Sequence, residues 1–461
     1  MKRPVETKAG LISMEQNCDV RDVFSLSSSA PSYSYDVKNT RLVPVDCYNG
    51  LPCYAGTTLE FYLDPTHDWY QFSESLLLIN YQVVKIDGSG EAHPLDPDDS
   101  NDAKIAVVSF LGQTIISRLT LEINNTQVLD DEFQSTYDLE AYWRVVLGMT
   151  ETEIKNHLRQ AFTNFSDSSY RARKAAAIAP NLTYSRFIHP FFMLKKAFPG
   201  HYRLKIKLAT HGPRHLLIDT AETSTETTPS RDFGYDIRFD KVQILMSRIT
   251  LEGPDLLRQQ KRFRHQGYSY LFDSWKYGEF LVEPGSYHAS KQIVTLSSLP
   301  KMIYIFIRKA LWTGPDFRSD PYQTLEAGEV KSLFVQLTDS DGEYRLPMSL
   351  GYSYDSKSIS KNLNYHLLTT QLPHLTRGVY FIDEKSWFKE FTFYPINLLS
   401  YPASLGCETL HGRRERTGSL TLDITFTNPI PKDEHVLISW FTERDCQLNI
   451  SSQERVSVKY Y

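Results

Sequence analysis

The chain repeats part of itself at close to half its own length, and that limits the folds open to it. Ile115 to Gly148 reads as a strand, a turn and a helix. In the strand, Leu119, Leu121 and Ile123 alternate with Arg118, Thr120 and Glu122, so one face is apolar and the other polar. Asn124-Asn125 turns the chain, because Asn tolerates left-handed backbone angles. Leu139, Tyr142, Trp143, Val146 and Leu147 then form one stripe of a helix, with Ser135 as its N-cap and Gly148 as its stop. About 214 positions later the pattern returns. Leu333, Val335 and Leu337 alternate with Ser332, Gln336 and Thr338, Asp339 to Gly342 turns the chain, and Ile359, Leu363 and Leu367 follow at helical spacing up to Pro373.

A second pair keeps nearly the same offset. GHYRLKIKL from Gly200 and GSLTLDITF from Gly418 lie 218 positions apart, each a glycine followed by alternating apolar residues. Amphipathic strands also resemble one another by chance. Two unrelated elements at one offset and in one order favour a duplicated domain over that reading.

The remaining segments are mostly short and alternating, with turn signals between them. Strands are expected at Thr58–Leu63, Ser75–Ile86, Tyr202–Leu208, Lys241–Leu251, Phe280–Val282, Gln292–Leu296, Met302–Arg308, Leu420–Phe426, Val436–Phe441, Gln447–Ile450 and Arg455–Tyr461. The 28 Tyr and 25 Phe favour strands too. This is the pattern of antiparallel sandwiches and jelly rolls rather than of βαβ units. A Ser-rich, polar stretch covers residues 1–35 and is expected to be a flexible arm. Gly253-Pro254 breaks the strand before it, and Asp255 to Arg264 reads as a short linking helix. The domains are therefore expected at 36–253 and 266–461, with a linker helix at 254–265. Lys301 and Arg308-Lys309 bracket the apolar run Met302–Ile307 and are expected to shield it from aggregation.

No catalytic constellation is visible: there is no GxSxG, HExxH, P-loop or GxGxxG after a strand. The chain is not expected to be an enzyme, and no catalytic, cofactor-binding or metal-ligating residue is assigned. His366 is expected to pack or face water rather than act as a base. Asp130-Asp131 are expected in a turn. The acidic loop Asp96–Ala103 fails as a calcium site, since Asn101 stands where glycine is needed and Val107 where the bidentate Glu should be. Arg258, Lys261, Arg262 and Arg264, and the run HGRRER from His411, are expected to be solvated basic surfaces. A net charge of −5 argues against a protein that coats nucleic acid. Five cysteines without a CxxC pair indicate neither a disulfide scaffold nor a zinc site. No signal peptide or membrane-length apolar run is present, so an intracellular folding environment with reduced thiols is expected.

Several stretches, in order along the chain, resemble the double jelly-roll major capsid proteins of Polinton/Maverick elements and adintoviruses, relatives of the adenovirus hexon and PRD1 lineage. Asp22-Val23-Phe24 and SLLLINYQVVKIDG from Ser75 resemble the first strands, and IISRLTLEINNTQV from Ile115 the apolar strand with its Asn-containing turn. Tyr137 to Met149 resembles the Tyr-rich helix, and LVEPG from Leu281 with Leu299-Pro300 resembles strand ends of the second roll. Gly314 to Thr338 resembles the Gly-x-Asn-Pro-Phe segment, with Asp320 and Tyr322 where Asn and Phe are usual, and Gly418 to Tyr461 resembles the terminal strands. Asn164 to Pro199 and Cys407 to Thr417 match no family pattern.

The resemblance implies an all-β chain of two eight-stranded antiparallel jelly rolls side by side, with short helices inserted after a strand of each roll. It implies a homotrimer, a pseudo-hexagonal tile of an icosahedral shell around double-stranded DNA, with penton or minor capsid proteins as further partners. The expected location is the virion, after synthesis in the cytoplasm or nucleus of a host cell. No cofactor, membrane span or sequence-specific nucleic-acid binding is implied. A minor or vertex capsid protein, or a carbohydrate-binding β-sandwich protein, is the alternative, because fold alone does not fix function.

Overall fold

The computed structural model describes residues 37–108, 110–129, 136–148, 176–219, 234–255, 257–258, 261, 267–309, 322, 324–339, 350–353, 387–388, 392–398, 417–432, 435–451 and 455–460. Sixteen of its strands build the frame. In the first half these are β1 (Val37–Asp46), β2 (Thr58–Leu63), β3 (Leu76–Ile86), β4 (Ile116–Ile123), β5 (Thr126–Leu129), β6 (Asn181–Ser185), β7 (Leu204–Thr210) and β8 (Tyr235–Leu251). In the second they are β9 (Tyr268–Val282), β10 (His288–Ser298), β11 (Met302–Lys309), β12 (Val330–Asp339), β13 (Leu350–Ser353), β14 (Phe393–Asn397), β15 (Thr417–Phe426) and β16 (Val436–Ile450).

The first half forms sheets β1-β8-β3-β6 and β2-β7-β4-β5. The second forms β9-β16-β11-β14 and β10-β15-β12-β13. The two orders are the same once eight is added to each label, and every pairing is antiparallel. This is the jelly-roll order, present twice. Both segment pairs that repeat in the sequence occupy matching places: β4 lies beside β7, and β12 beside β15. A last strand, β17 (Val456–Tyr460), extends the second-half sheet along β16. Among the described residues no strand of one half pairs with a strand of the other.

The alternation read from the sequence becomes one buried face per strand. Leu59, Phe61 and Leu63 of β2, Leu119, Leu121 and Ile123 of β4 and Leu204, Ile206 and Leu208 of β7 are buried. They close on Leu77, Ile79, Tyr81 and Val83 of β3 in one core. Leu420, Leu422 and Ile424 of β15 and Leu333 and Val335 of β12 repeat the arrangement. Asn124 and Asn125 do take left-handed angles, φ 47° and 64°. Gly200 is needed because a Cβ there would lie 2.2 Å from the Asp68 carbonyl oxygen.

Three readings are corrected. The Asn-Asn turn closes a hairpin onto β5 before the helix begins; TQVL was too short a run to stand out. The strands expected at Val436–Phe441 and Gln447–Ile450 are one, β16, because the charged middle is paired rather than solvated. Lys301 and Arg308 do not shield the run Met302–Ile307 from outside: Arg308 is buried on Ser439 and Tyr277, and Lys301 is bound to Glu443. The helix expected at 359–367 and the residues 1–35 lie outside the described residues. Of the linker, positions 254, 255, 257, 258 and 261 are helical.

Candidate functional site

The densest side-chain chemistry lies where the two halves meet, and one helix organises it. Helix α2 (Tyr137–Gly148) follows β5, and α1 (Leu111–Thr114) precedes β4. The Tyr137 hydroxyl donates to Gln113 Oε1 (2.6 Å) and accepts from the Ile188 backbone N–H (3.1 Å), which ties α2 to the first half. The sequence predicts a single apolar stripe. In the structure Asp138, Glu140, Ala141 and Val145 are buried as well as Tyr142, Trp143, Val146 and Leu147, while Leu139 is only half-buried. A helix buried on more than one side lies between two bodies.

Its other side meets the second half. Trp143 stacks on Phe306 with ring centroids 4.0 Å apart, and Tyr142 stacks on Tyr322 at the same distance. The Arg144 guanidinium lies 4.0 Å from the centre of the Trp275 ring while donating to Glu140 Oε1 at 2.7 Å. Burial pushes the Glu140 carboxyl up, against the pull of Arg144. Below Trp275 sits a buried acid, Glu443. It accepts from Trp275 Nε1 (3.1 Å) and the Tyr304 hydroxyl (2.7 Å) and pairs with Lys301 (2.9 Å). Burial alone would raise Glu443; Lys301 and Tyr304 outweigh it and hold the carboxyl below its ordinary range. Lys301 also reaches Asp445 (3.1 Å) and Asp273.

A second contact is aromatic. Helix α3 (Pro190–Met193) is capped by His189, whose Nδ1 accepts the Phe191 N–H at 3.2 Å. Phe191 meets Phe272 and Phe198 meets Tyr270, each with centroids 5.6 Å apart. Burial pushes His189 down to about 3, so it is neutral here.

The third feature is a titratable cluster. His211 and His215, the latter in helix α4 (Pro213–Leu216), stack ring on ring with centroids 3.7 Å apart. Both present Nε2 to Asp138 at the start of α2. His215 Nε2 is 3.0 Å from Oδ2, within hydrogen-bond geometry, and His211 Nε2 is 3.2 Å from Oδ1, outside it in angle. The Tyr322 hydroxyl of the second half donates to Oδ2 (3.1 Å) and pairs with Thr114 (2.7 Å). Burial would raise Asp138; the two imidazoles outweigh it and hold the carboxyl far below the usual range. The donor atoms of Asp138, His211 and His215 lie within 4.8 Å of one another. Parallel stacking, however, sets each ring against its own carboxylate oxygen instead of aiming both at one point. The arrangement is a clamp between halves rather than a finished metal shell. No motif in the sequence marks it. The i, i+4 spacing of His211 and His215 was the available signal.

The residues weighed in the sequence fall elsewhere. In the Asp96–Ala103 loop, Asp102 is buried and held by Lys85 (2.9 Å), Tyr235 (2.8 Å) and the Asp96 N–H (3.0 Å). Its acid charge is answered by a lysine. Arg258 and Lys261 are exposed, and Arg258 pairs with Asp255 at 2.8 Å. Asp130-Asp131, Arg262, Arg264, His366 and His411 to Arg416 lie outside the described residues.

No protein-family model and no curated protein matches the chain. Solved structures do. A chain in the cryo-EM structure of the Sputnik virophage matches at TM-score 0.60 and 11% identity, over 100% of this chain and 93% of that one. The mavirus major capsid protein matches at 0.55 and 10%, over 100% and 96%. The Faustovirus major capsid protein matches at 0.51 and 11%, over 96% of each. At these identities the likeness establishes a shared fold along essentially the whole chain.

Proposed function

We propose that this chain is a major capsid protein whose copies assemble, as trimeric pseudo-hexagonal tiles, into an icosahedral shell around double-stranded DNA. The observation that carries the reading is the pair of jelly rolls of identical strand order, fixed to each other by α2, in a fold shared end to end with capsid proteins of mavirus and Faustovirus. A shell tile needs stiff sandwiches and long lateral surfaces, not an active site. Two rolls per chain suit this: three chains present six similar bodies to six neighbours.

The finer assignments belong to the same proposal. The order of motifs supports a place near the Polinton/Maverick and adintovirus proteins. The chain divides into an arm at 1–35, rolls at 36–253 and 266–461, and a linker between them. Penton or minor capsid proteins complete the shell, and the protein resides in the virion after synthesis in a host cell. No helix of the described residues is long and apolar enough to cross a membrane.

Light scattering of the purified chain tests the reading. Three chains of 53.2 kDa give a species of about 160 kDa. A monomer of about 53 kDa at every concentration would overturn the reading and direct attention to glycan binding by the sandwiches.

A further inference from the structure

Two groups of three metal-ligand side chains come together among the described residues, and they differ in kind. Asp87, Glu91 and His93 are all exposed, and the Asp87 carboxylate already accepts from the Ser89 and Glu91 N–H groups and the Ser89 hydroxyl. Its charge is answered by its own turn. The other group is Asp138, His211 and His215, with the carboxylate buried and the imidazoles half-buried.

Rigid elements bring this second group together. Strand β7 ends at Thr210, whose N–H and hydroxyl both reach the Thr57 carbonyl, at 2.9 and 2.8 Å. The His211 N–H then donates to the Ile115 carbonyl at 2.9 Å, which fixes the backbone at that histidine. Gly212-Pro213 opens the single turn of α4, and that turn returns His215 onto His211. Asp138 arrives from the first turn of α2. It is held from behind by the Tyr322 hydroxyl, whose ring is stacked on Tyr142. Carboxylates that bind metals are oriented by outer hydrogen bonds of this kind.

Three observations point to an ion at these groups. Ligand atoms about 2.0–2.2 Å from a tetrahedral zinc lie about 3.3–3.6 Å from one another, and the two Nε2 atoms stand 3.0 and 3.2 Å from the Asp138 oxygens. Asp138 Oδ1 and His211 Nε2 are both buried and face each other, yet neither makes a hydrogen bond among the described residues. Two such atoms side by side are costly unless something joins them. The His211 and His215 side chains keep 14% and 21% exposure against 1% for Asp138, so an ion has a path from solvent that ends on a negative charge. Two imidazoles and one carboxylate suit zinc and its neighbours, whereas calcium and magnesium take oxygen ligands. The stacked rings do not converge as they stand. Because His211 Nε2 holds no hydrogen bond, turning that ring toward Oδ1 gives up only the stack.

We propose that Asp138, His211 and His215 form a zinc-class transition-metal site that ties the β7–α4 segment to α2, beside the Tyr322 contact with the second half. The site goes beyond the assembly reading and does not depend on it. Both imidazoles carry their hydrogen on Nδ1 and offer Nε2 to the ion, and water takes the fourth position.

The test uses the full, untagged chain, stripped with EDTA and titrated with zinc chloride in a calorimeter. Wild type should take up one zinc per chain and melt at a higher temperature with it than without. Outer partners of a metal are worth about 10–100-fold in affinity, and a ligand at least as much. His211→Phe keeps a ring against His215 but offers no nitrogen, so it should fold as wild type and bind zinc about 100-fold more weakly. His93→Gln, in the exposed group, should bind as wild type does. No zinc uptake by wild type, undiminished affinity in a folded His211→Phe, or a loss confined to His93→Gln overturns the proposal. Should His211→Phe not fold, diethyl pyrocarbonate labelling of wild type, read by mass spectrometry, decides. Zinc should protect His211 and His215 and leave His93 as reactive as before. Equal labelling of His211 and His215 with and without zinc overturns the site.

Discussion

Asp138 is buried and His189 half-buried at the junction, and acid should act on them over different ranges. Asp138 is depressed by its two imidazoles, so its contribution is complete above the unfolded carboxylate value of about 3.9 and is lost as pH falls below it. Asp138→Asn keeps the shape but removes the charge that His211, His215 and Tyr322 address. We expect a loss of about 3 kcal/mol at neutral pH in urea unfolding, with the gap to wild type closing only below about pH 4. An unchanged midpoint at pH 7 would show that the clamp contributes nothing. His189 is kept neutral by burial at about 3, whereas an unfolded histidine takes up its proton near 6.5. Its contribution is complete above pH ~6.5 and is lost on the way down to 3, at up to about 1.4 kcal/mol per pH unit. His189→Asn retains a side-chain acceptor for the Phe191 N–H and cannot titrate. The variant should therefore show a flatter stability profile between pH 6.5 and 4.5, and a slope equal to wild type would refute the assignment. Neither residue stood out in the sequence. A lone carboxylate or histidine carries no sign of what a segment 70 or more positions away will bring to it, as His211 and His215 are brought to Asp138.

At the scale of elements, α2 shows what periodicity can and cannot deliver. Its end at Gly148 and its apolar residues were legible, since Tyr142, Trp143, Val146 and Leu147 fall on one stripe, while the expected cap Ser135 lies outside the described residues. Its second buried side was not, because Asp138, Glu140 and Arg144 read as polar until Tyr322 and Trp275 are seen beside them. The same blindness split β16 in two: Thr442 to Asp445 looks like a loop until Lys301 is placed against Glu443. Trp143→Ala should remove the stack on Phe306 and Phe393 and cost about 3–5 kcal/mol. The halves should then unfold in two separable steps, read by urea titration with both fluorescence and circular dichroism. One coincident transition would mean that the aromatic contact of Phe191 and Phe198 with β9 is enough to couple them.

For the whole molecule, the duplicated strand order was foreshadowed by Gly200 and Gly418 and by the strands at Leu119 and Leu333, because burying one face of a sheet forces a period of two that survives sequence divergence. The contact between rolls was not foreshadowed, since it joins residues with no common periodicity. It also imposes an order on synthesis. Trp143 leaves the ribosome long before Phe306 and Phe393, so the helix that will cover the second roll's aromatic face is already made when that face is translated. A chain made in this order can therefore fold its second roll directly against a cover supplied in cis, with Trp143 in hand when Phe306 and Phe393 emerge.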